Sequence, residues 1–216
     1  MRHINNVESI NWNDGADQEG SPNLFVTENL CYSTPGELDE LVTDLSVEVP
    51  KNKTLLITGT SGVGKTSFMR VIRKLWKPTA AHLYVLLPFP HVVDNNKIVD
   101  ILEALHLRCL ISMCGGLTDP SNFEWQDTLS PGEQQRLSMA RVLYHNPSYV
   151  FLDEATSSLS VDAEANVYDL LKKYGIVYVS TGHRPTLRSF HDLELRLHGK
   201  NDWKLIEDIR EDSGKL

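Results

Sequence analysis

Apolar residues in the first part of the chain show the spacings of strands and of a helix. Leu45-Ser46-Val47-Glu48-Val49 alternates as a half-buried strand does, and residues 50–53 predict a turn into the apolar run 54–58. A stripe with helical spacing follows and is ended by Pro78; its members are Phe68, Val71, Ile72, Leu75 and Trp76. The pattern predicts two strands and then a helix.

The rest of the chain adds further apolar runs of strand length. Residues 83–87 and 149–152 form two of them, and residues 176–180 form a third. Between the last two, residues 161–174 have the pattern of a helix, with Gly175 as a plausible C-cap. Runs that are apolar on both faces are typical of parallel sheets. We therefore expect an α/β fold with a central, mostly parallel sheet.

Length and polarity suggest how the chain is organised. Its 216 residues predict one domain, with room for a subdomain. Residues 1–24 are polar and rich in Asn, Asp and Gly, so we expect a loose leader or linker, with order beginning near Leu24. The first residues lack the apolar core of a signal peptide, and no apolar run has the length needed to cross a bilayer.

Charge and cysteine content narrow the classes of partner. A net charge of −8 predicts no basic surface, which argues against nucleic acid as the main partner. Cys31, Cys109 and Cys114 are an odd number without metal-ligand spacing. We expect reduced thiols in a cytosolic setting and no metal cluster.

The most informative stretch is Gly59-Thr60-Ser61-Gly62-Val63-Gly64-Lys65-Thr66, followed by Ser67. It lies between a predicted strand and a predicted helix and fits the phosphate-binding loop pattern. Glycines let the backbone N–H groups turn toward a polyphosphate, and the start of the helix attracts the same anion. Lys65 would reach the β- and γ-phosphates of ATP, and Thr66 would place its hydroxyl on Mg²⁺. The alternative is a glycine-rich turn before a helix.

A second stretch, Leu129-Ser130-Pro131-Gly132-Glu133, has the features of a helix start. Ser130 suits the N-cap and Pro131 the first helical position, while Glu133 is placed to complete a capping box. An ordinary well-capped helix is the alternative interpretation. Capping alone does not explain why this start precedes a strand tipped by carboxylates.

That strand, Tyr149-Val150-Phe151-Leu152-Asp153-Glu154, ends in two acids. Ligands gather at the carboxyl ends of strands in such sheets. Asp153 could hold Mg²⁺ through water, and Glu154 could polarise the water that attacks the γ-phosphate. His183 follows the next predicted strand and could hydrogen-bond the γ-phosphate. Solvated turn acids and an incidental loop histidine are the alternatives.

The order of these motifs resembles the ATP-binding-cassette (ABC) ATPases over residues 25–210, which leaves residues 211–216 as a tail. The resemblance implies an α/β P-loop NTPase fold with a mostly parallel sheet, an antiparallel β edge and a shortened helical subdomain. In that family the nucleotide lies between the Walker A loop of one subunit and the signature of another. Ser130 and Gly132, with Glu133 beside them, are thus expected to meet the ATP of a second ABC ATPase domain.

Several short sequence segments resemble those of subfamily D, the half-transporters of peroxisome and lysosome. The resemblance is carried by Leu56-Ile57-Thr58-Gly59, Gly64-Lys65-Thr66-Ser67, Leu75-Trp76, Gly182-His183-Arg184 and the proline in the signature. The likeness implies a transmembrane partner domain, a place on the cytosolic face of an organelle membrane, and ATP-driven transport. Within that subfamily the cargo is cobalamin or very-long-chain acyl-CoA, and the choice between them is an analogy.

Three departures from the family are visible. A glutamine is expected after the run 83–87, but Pro88 falls there and no Gln occurs between Thr66 and Gln126. The sequence between Lys65 and Ser130 is also short for the family, which implies a reduced helical subdomain.

Ser160 stands where most members have an aspartate, a change that subfamily D tolerates. For the aromatic residue that stacks on the base, Tyr32 is the best candidate, although a packed tyrosine would look the same.

Two other functions remain open at this stage. One is an ATP-binding dimerisation module, or a truncated isoform, with weak hydrolysis; the missing glutamine and the short helical segment favour it. The other is a soluble, non-transport ABC ATPase. Such proteins usually have long coiled coils or two cassettes in one chain, and this chain has neither.

Overall fold

A computed structural model of the chain describes residues 10–12, 22–34, 40–73, 93–117, 123–207 and 209, with only the backbone given for residues 10–12. The chain forms two compact units. The first contains Met1–His82, Phe151–Glu154 and Val177–Leu216, and the second contains Leu83–Val150 and Ala155–Ile176.

The first unit contains a three-stranded antiparallel sheet. Its strands are β1 (Ile10–Trp12), β2 (Asn23–Ser33) and β3 (Glu40–Pro50), in that order. The predicted alternation is confirmed in β3, where Leu45, Val47 and Val49 are buried and the residues between them are exposed. Strand β1 lies within residues 1–24, the segment that we expected to be a loose leader or linker, and it pairs with Phe25–Thr27 of β2.

The second sheet of this unit has five strands in the order β5-β6-β4-β7-β8. Their bounds are β4 Leu55–Gly59, β5 Tyr149–Asp153, β6 Val177–Thr181, β7 Leu193–Gly199 and β8 Asp202–Ile206. Strand β4 pairs in parallel with β6 and with β7, whereas β8 pairs antiparallel to β7. The expectation of a mostly parallel sheet is confirmed, and β4, which carries the glycine loop, lies at its centre.

Helix α1 (Lys65–Ile72) follows β4 and buries one apolar face. Phe68, Val71 and Ile72 are buried, as their spacing predicted. They join a core to which both sheets of the first unit contribute; its other fully buried members include Phe25, Val42, Leu45, Val49, Leu55, Ile57, Leu195 and Leu197. A short 3-10 helix (Pro185–Phe190) leads from β6 to β7.

The second unit is helical. It contains α2 (Asn95–Ala104), α3 (Cys109–Met113), α4 (Trp125–Thr128), α5 (Pro131–His145) and α6 (Val161–Lys173). Lys97 of α2 donates a hydrogen bond from Nζ to the carbonyl of Tyr144 in α5 at 2.8 Å, and Asn166 of α6 donates to the carbonyl of Ala104 at 2.8 Å. Gly175, with a φ of 70°, follows the last turn of α6, as expected of a C-terminal cap.

Several sequence expectations fall outside the described residues. They concern the run 83–87 with Pro88, the end of the helical stripe at Leu75, Trp76 and Pro78, and the tail 211–216. Among the residues that the structure does describe, no helix combines the length and the apolar character needed to span a membrane.

Candidate functional site

The glycine loop (residues 59–67) lies between the end of β4 and the first turn of α1, as the sequence predicted. Gly59 has a φ of 143°, and a Cβ atom added there would lie 2.2 Å from the carbonyl oxygen of Leu197 in β7. A side chain at this position would therefore collide with the neighbouring strand. Gly62 and Gly64 also have positive φ angles, of 81° and 105°. Such angles let successive amides of a loop face an anion.

The remaining loop residues divide between an exposed and a buried side. Thr60, Ser61 and Gly62 are exposed, whereas Val63 and Ser67 are buried. A Cβ atom added to Gly62 would have no heavy atom within 4 Å. The exposed side of the loop is thus open to a ligand, and the buried side anchors it in the core.

Lys65 begins α1 and is 6% exposed. Its Nζ atom donates hydrogen bonds to the carbonyl oxygens of Gly59 and Thr60, both at 2.9 Å. Burial lowers the pKa of the Lys65 ammonium group, and the charges of Glu154 and Asp153 oppose that shift. The two acids therefore favour a charged lysine inside the loop.

Thr66 and Asp153 come together at the carboxyl end of the sheet. The hydroxyl of Thr66 donates to Oδ1 of Asp153 at 3.2 Å. Strand β6 lies next to β5, and its last residue, Thr181, donates to the same Oδ1 atom at 2.7 Å. The backbone N–H of Glu154 donates in turn to the Thr181 hydroxyl at 3.0 Å. Thr181 thus joins both acids, a role that its sequence context did not indicate.

Glu154 and His183 form a pair beside this group. Nε2 of His183 lies 3.2 Å from Oε1 of Glu154, and both side chains are about half exposed. Glu154 has a φ of 49°, a left-handed conformation that costs a non-glycine residue about 1 kcal/mol. Backbone strain of this kind persists only where surrounding contacts hold it in place, and it is found most often at functional sites.

The residues present fit a nucleotide phosphate and Mg²⁺. The glycine loop offers an open side together with a buried ammonium group, which suits a polyphosphate. Thr66 and Asp153 provide the hydroxyl and carboxylate oxygens that Mg²⁺ prefers. Among the described residues, no group of three or more His, Cys, Asp and Glu is placed to hold a metal ion.

The signature stretch begins α5 in the second unit, and the structure confirms the predicted capping box. Oε2 of Glu133 accepts hydrogen bonds from the backbone N–H of Ser130 at 2.9 Å and from its hydroxyl at 2.6 Å. These bonds lower the pKa of Glu133. A Cβ atom added to Gly132 would lie 3.1 Å from the carbonyl oxygen of Ser158, so glycine permits close packing against the turn after β5.

That turn is also held by Gln135 of α5. Its side chain donates to the hydroxyl of Ser157 at 3.1 Å and accepts from the backbone N–H of Ser158 at 2.9 Å. Ser160, at the position where most ABC ATPases have an aspartate, accepts from the backbone N–H of Ala163 and caps α6. Serine is among the preferred N-cap residues, so this departure has a structural role.

Tyr32 does not occupy the kind of position that base stacking requires. It is 4% exposed, and its ring stacks on Phe68 with 6.0 Å between the ring centroids. Its hydroxyl donates to the carbonyl oxygen of Gly64 at 3.3 Å. Little ring surface is left for a base, because the apolar core of the first unit holds the ring.

The sequence analysis also did not identify a buried carboxylate near the glycine loop. Glu194 of β7 has a fully buried side chain and accepts from the hydroxyl of Thr58, the residue before the loop, at 2.8 Å. Arg196 and Arg188 form ion pairs with it at 3.0 and 3.2 Å. Burial acts to raise the pKa of Glu194, but the hydrogen bonds and the two arginine charges outweigh it and lower that pKa.

Comparisons with known proteins show what this chain is similar to. A family profile described as ABC transporter matches residues 116–157, which include the signature stretch and β5. The chain is 36% identical over 220 residues to the mouse lysosomal cobalamin transporter ABCD4, covering 87% of this chain and 36% of that protein. It is 30% identical over 222 residues to mouse ATP-binding cassette sub-family D member 3, covering 88% of this chain and 33% of that protein.

A solved structure shows the same fold. A bacterial Atm1-family ABC exporter, determined with ATP bound, superposes with a TM-score of 0.68 at 20% identity, covering 88% of this chain and 40% of that one. The chain spans about a third of the length of the curated relatives named above. From the motifs, the fold and these similarities, the chain belongs to the ABC transporter family as an ATP-binding domain of subfamily D.

Proposed function

We propose that this chain binds Mg-ATP and hydrolyses it to power transport through a membrane domain. The loop amides and Lys65 would hold the phosphates, and Thr66 with Asp153 would hold Mg²⁺. When bound, that ion would neutralise phosphate charge. Glu154 would orient the attacking water and accept its proton, and His183 would donate to the γ-phosphate.

The observation that carries the proposal is the meeting of five side chains at one end of one sheet. Thr66 contacts Asp153, Thr181 bridges Asp153 to the backbone of Glu154, and His183 contacts the carboxylate of Glu154. A glycine-rich turn without function would not need a strained glutamate or a buried lysine beside these acids.

The proposed working form is a head-to-tail pair. In that arrangement the start of α5, with Ser130 and Gly132, would meet the nucleotide held by a second ABC ATPase domain. Helix starts attract anions through their unpaired N–H groups and the helix dipole. The likeness to the mouse lysosomal cobalamin transporter ABCD4 supports a half-transporter at the cytosolic face of a lysosomal membrane, with cobalamin as cargo. A peroxisomal membrane and a very-long-chain acyl-CoA cargo are the alternative, which rests on the motif resemblance alone.

A second function is favoured by the missing glutamine, in addition to the short segment between Lys65 and Ser130. The sequence has no glutamine between Thr66 and Gln126, although the family places one there to touch Mg²⁺ and the membrane domain. The alternative is therefore an ATP-binding dimerisation module that turns over slowly.

Phosphate release by the full 216-residue chain separates the two functions. An ATPase should release phosphate from ATP with Mg²⁺ and stop when EDTA removes the metal. A binding module should retain ATP, as measured by calorimetry, without releasing phosphate above background. A chain that neither bound ATP nor released phosphate would overturn both proposals.

A further inference from the structure

We propose that Tyr32 is a positioning residue for the phosphate loop, in which its hydroxyl fixes the peptide between Gly64 and Lys65. This inference rests on the proposed function, because the loop must bind a polyphosphate for its position to matter. It replaces the expectation that Tyr32 stacks on the base.

The hydroxyl acts on a carbonyl that already has a structural role. The Gly64 oxygen accepts from the Tyr32 hydroxyl at 3.3 Å and from the backbone N–H of Phe68 at 2.7 Å, the first hydrogen bond of α1. A carbonyl oxygen has two lone pairs, and here each finds a donor. The direction of this carbonyl is therefore held from both the helix and the antiparallel sheet.

The planar peptide transmits this constraint to the loop. In a trans peptide the C=O of one residue and the N–H of the next point in opposite directions within one plane. Fixing the Gly64 carbonyl therefore fixes the direction of the Lys65 N–H. That N–H belongs to the loop proposed to cradle the phosphates, so the Tyr32 hydroxyl would set the aim of one phosphate donor.

Packing leaves Gly64 little freedom to turn by itself. A Cβ atom added there would lie 3.1 Å from Cε2 of Tyr32 and 3.2 Å from Cβ of Leu41 in β3. Gly64 combines this contact with a φ of 105°, which other residues rarely adopt. The ring and the hydroxyl of Tyr32 thus act on the same residue, one by contact and the other by hydrogen bonding.

Strand β2 is irregular on both sides of Tyr32. Its pairing with β3 shifts register between Leu30 and Tyr32 and again between Tyr32 and Ser33. Irregularities of this kind re-aim side chains and are common near functional sites. Burial raises the pKa of Tyr32 far above its ordinary value, so the hydroxyl stays protonated and remains a donor.

Tyr32→Phe tests the inference because it removes the hydroxyl and keeps the ring. Binding of ATP and of inorganic tripolyphosphate, which has no base, would be measured by calorimetry in the presence of Mg²⁺. We expect both ligands to bind roughly two- to tenfold more weakly, the effect of losing one hydrogen bond. Tyr178→Phe is the matched control, since it removes a tyrosine hydroxyl that donates to the carbonyl of Phe190 instead.

Each of the other outcomes would contradict either this inference or the proposed function. If Tyr32→Phe bound both ligands as the wild type does, or lost affinity for ATP but not for tripolyphosphate, the positioning role would be wrong. If Tyr178→Phe weakened binding as much, the effect would be one of stability, and the inference would fail. Wild-type protein that bound neither ligand would instead overturn the proposed function itself.

Discussion

Nε2 of His183 lies 3.2 Å from Oε1 of Glu154, and each side chain remains about half exposed. The two residues follow neighbouring strands, β6 and β5, so their contact depends on the order of strands in the sheet. A carboxylate held by an imidazole and still open to solvent is suited to orient water.

Glu154→Gln should therefore lower the rate of ATP hydrolysis by roughly 10²- to 10⁴-fold, the usual contribution of a general base. The amide keeps the size of the side chain, so ATP should still bind. Phosphate release and calorimetric ATP binding would be measured on the same preparation. Glu28→Gln, an exposed change in β2, is the control. Hydrolysis by Glu154→Gln at the wild-type rate would remove Glu154 from the mechanism.

Lys65→Ala should weaken ATP binding by roughly ten- to a hundredfold, because hydrogen bonds from a charged group are worth about 1.5–3 kcal/mol. The change also removes two bonds to loop carbonyls. Thermal unfolding without ligand would show how much of the effect is structural. Lys51→Ala changes an exposed lysine in the preceding turn and should leave ATP affinity unchanged. Unaltered affinity in Lys65→Ala would argue against the phosphate cradle.

Thr181→Val should reduce turnover about tenfold, because Asp153 and the N–H of Glu154 both lose the hydroxyl that joins them. Valine keeps the shape of threonine. Thr181→Ser, which retains the hydroxyl, should restore most of the activity in a steady-state assay. Equal activity in the valine and serine variants would show that the hydroxyl does not position the acids.

His191 makes folding stability depend on pH. Burial lowers its pKa from 6.5 to about 4, against the opposing effects of its bond to the Leu187 carbonyl and the charges of Asp192 and Glu194. The unfolded chain therefore binds a proton between pH 6.5 and 4 that the folded chain does not. The contribution of neutral His191 to the free energy of unfolding should be fully present above pH 6.5. As the pH drops to 4, the free energy of unfolding should fall by up to about 3 kcal/mol.

Urea unfolding at pH 7.5, 6 and 5 would measure this dependence. In His191→Asn the amide can still donate to Leu187 but does not titrate, so the loss of stability in this window should shrink. His198→Asn, at an exposed position of β7, should keep the wild-type dependence. Identical pH profiles for wild type and His191→Asn would contradict the assignment.

Motifs whose function requires consecutive residues were predictable from the sequence. The glycine loop, the capping box at Ser130 and the acids at the end of β5 all depend on local order, and the structure places each on the expected element. Their proposed roles remain predictions until the experiments above are done.

Contacts made between distant strands were not predictable in the same way. Leu193-Glu194-Leu195-Arg196-Leu197 alternates, which would put Glu194 and Arg196 on a solvated face. The structure instead buries Glu194 and pairs it with Thr58 and two arginines. Thr181 and Tyr32 were hidden for the same reason, since their partners lie 27 or more residues away along the chain.

The central position of β4 has a consequence for how the protein is made. Its hydrogen-bonding neighbours on both sides, β6 and β7, come from much later in the chain. As the polypeptide leaves the ribosome, the strand that carries the glycine loop must wait for both of them, and such distant pairings slow folding. A nascent chain stalled before residue 177 should therefore be unable to retain ATP, however complete its Walker A loop.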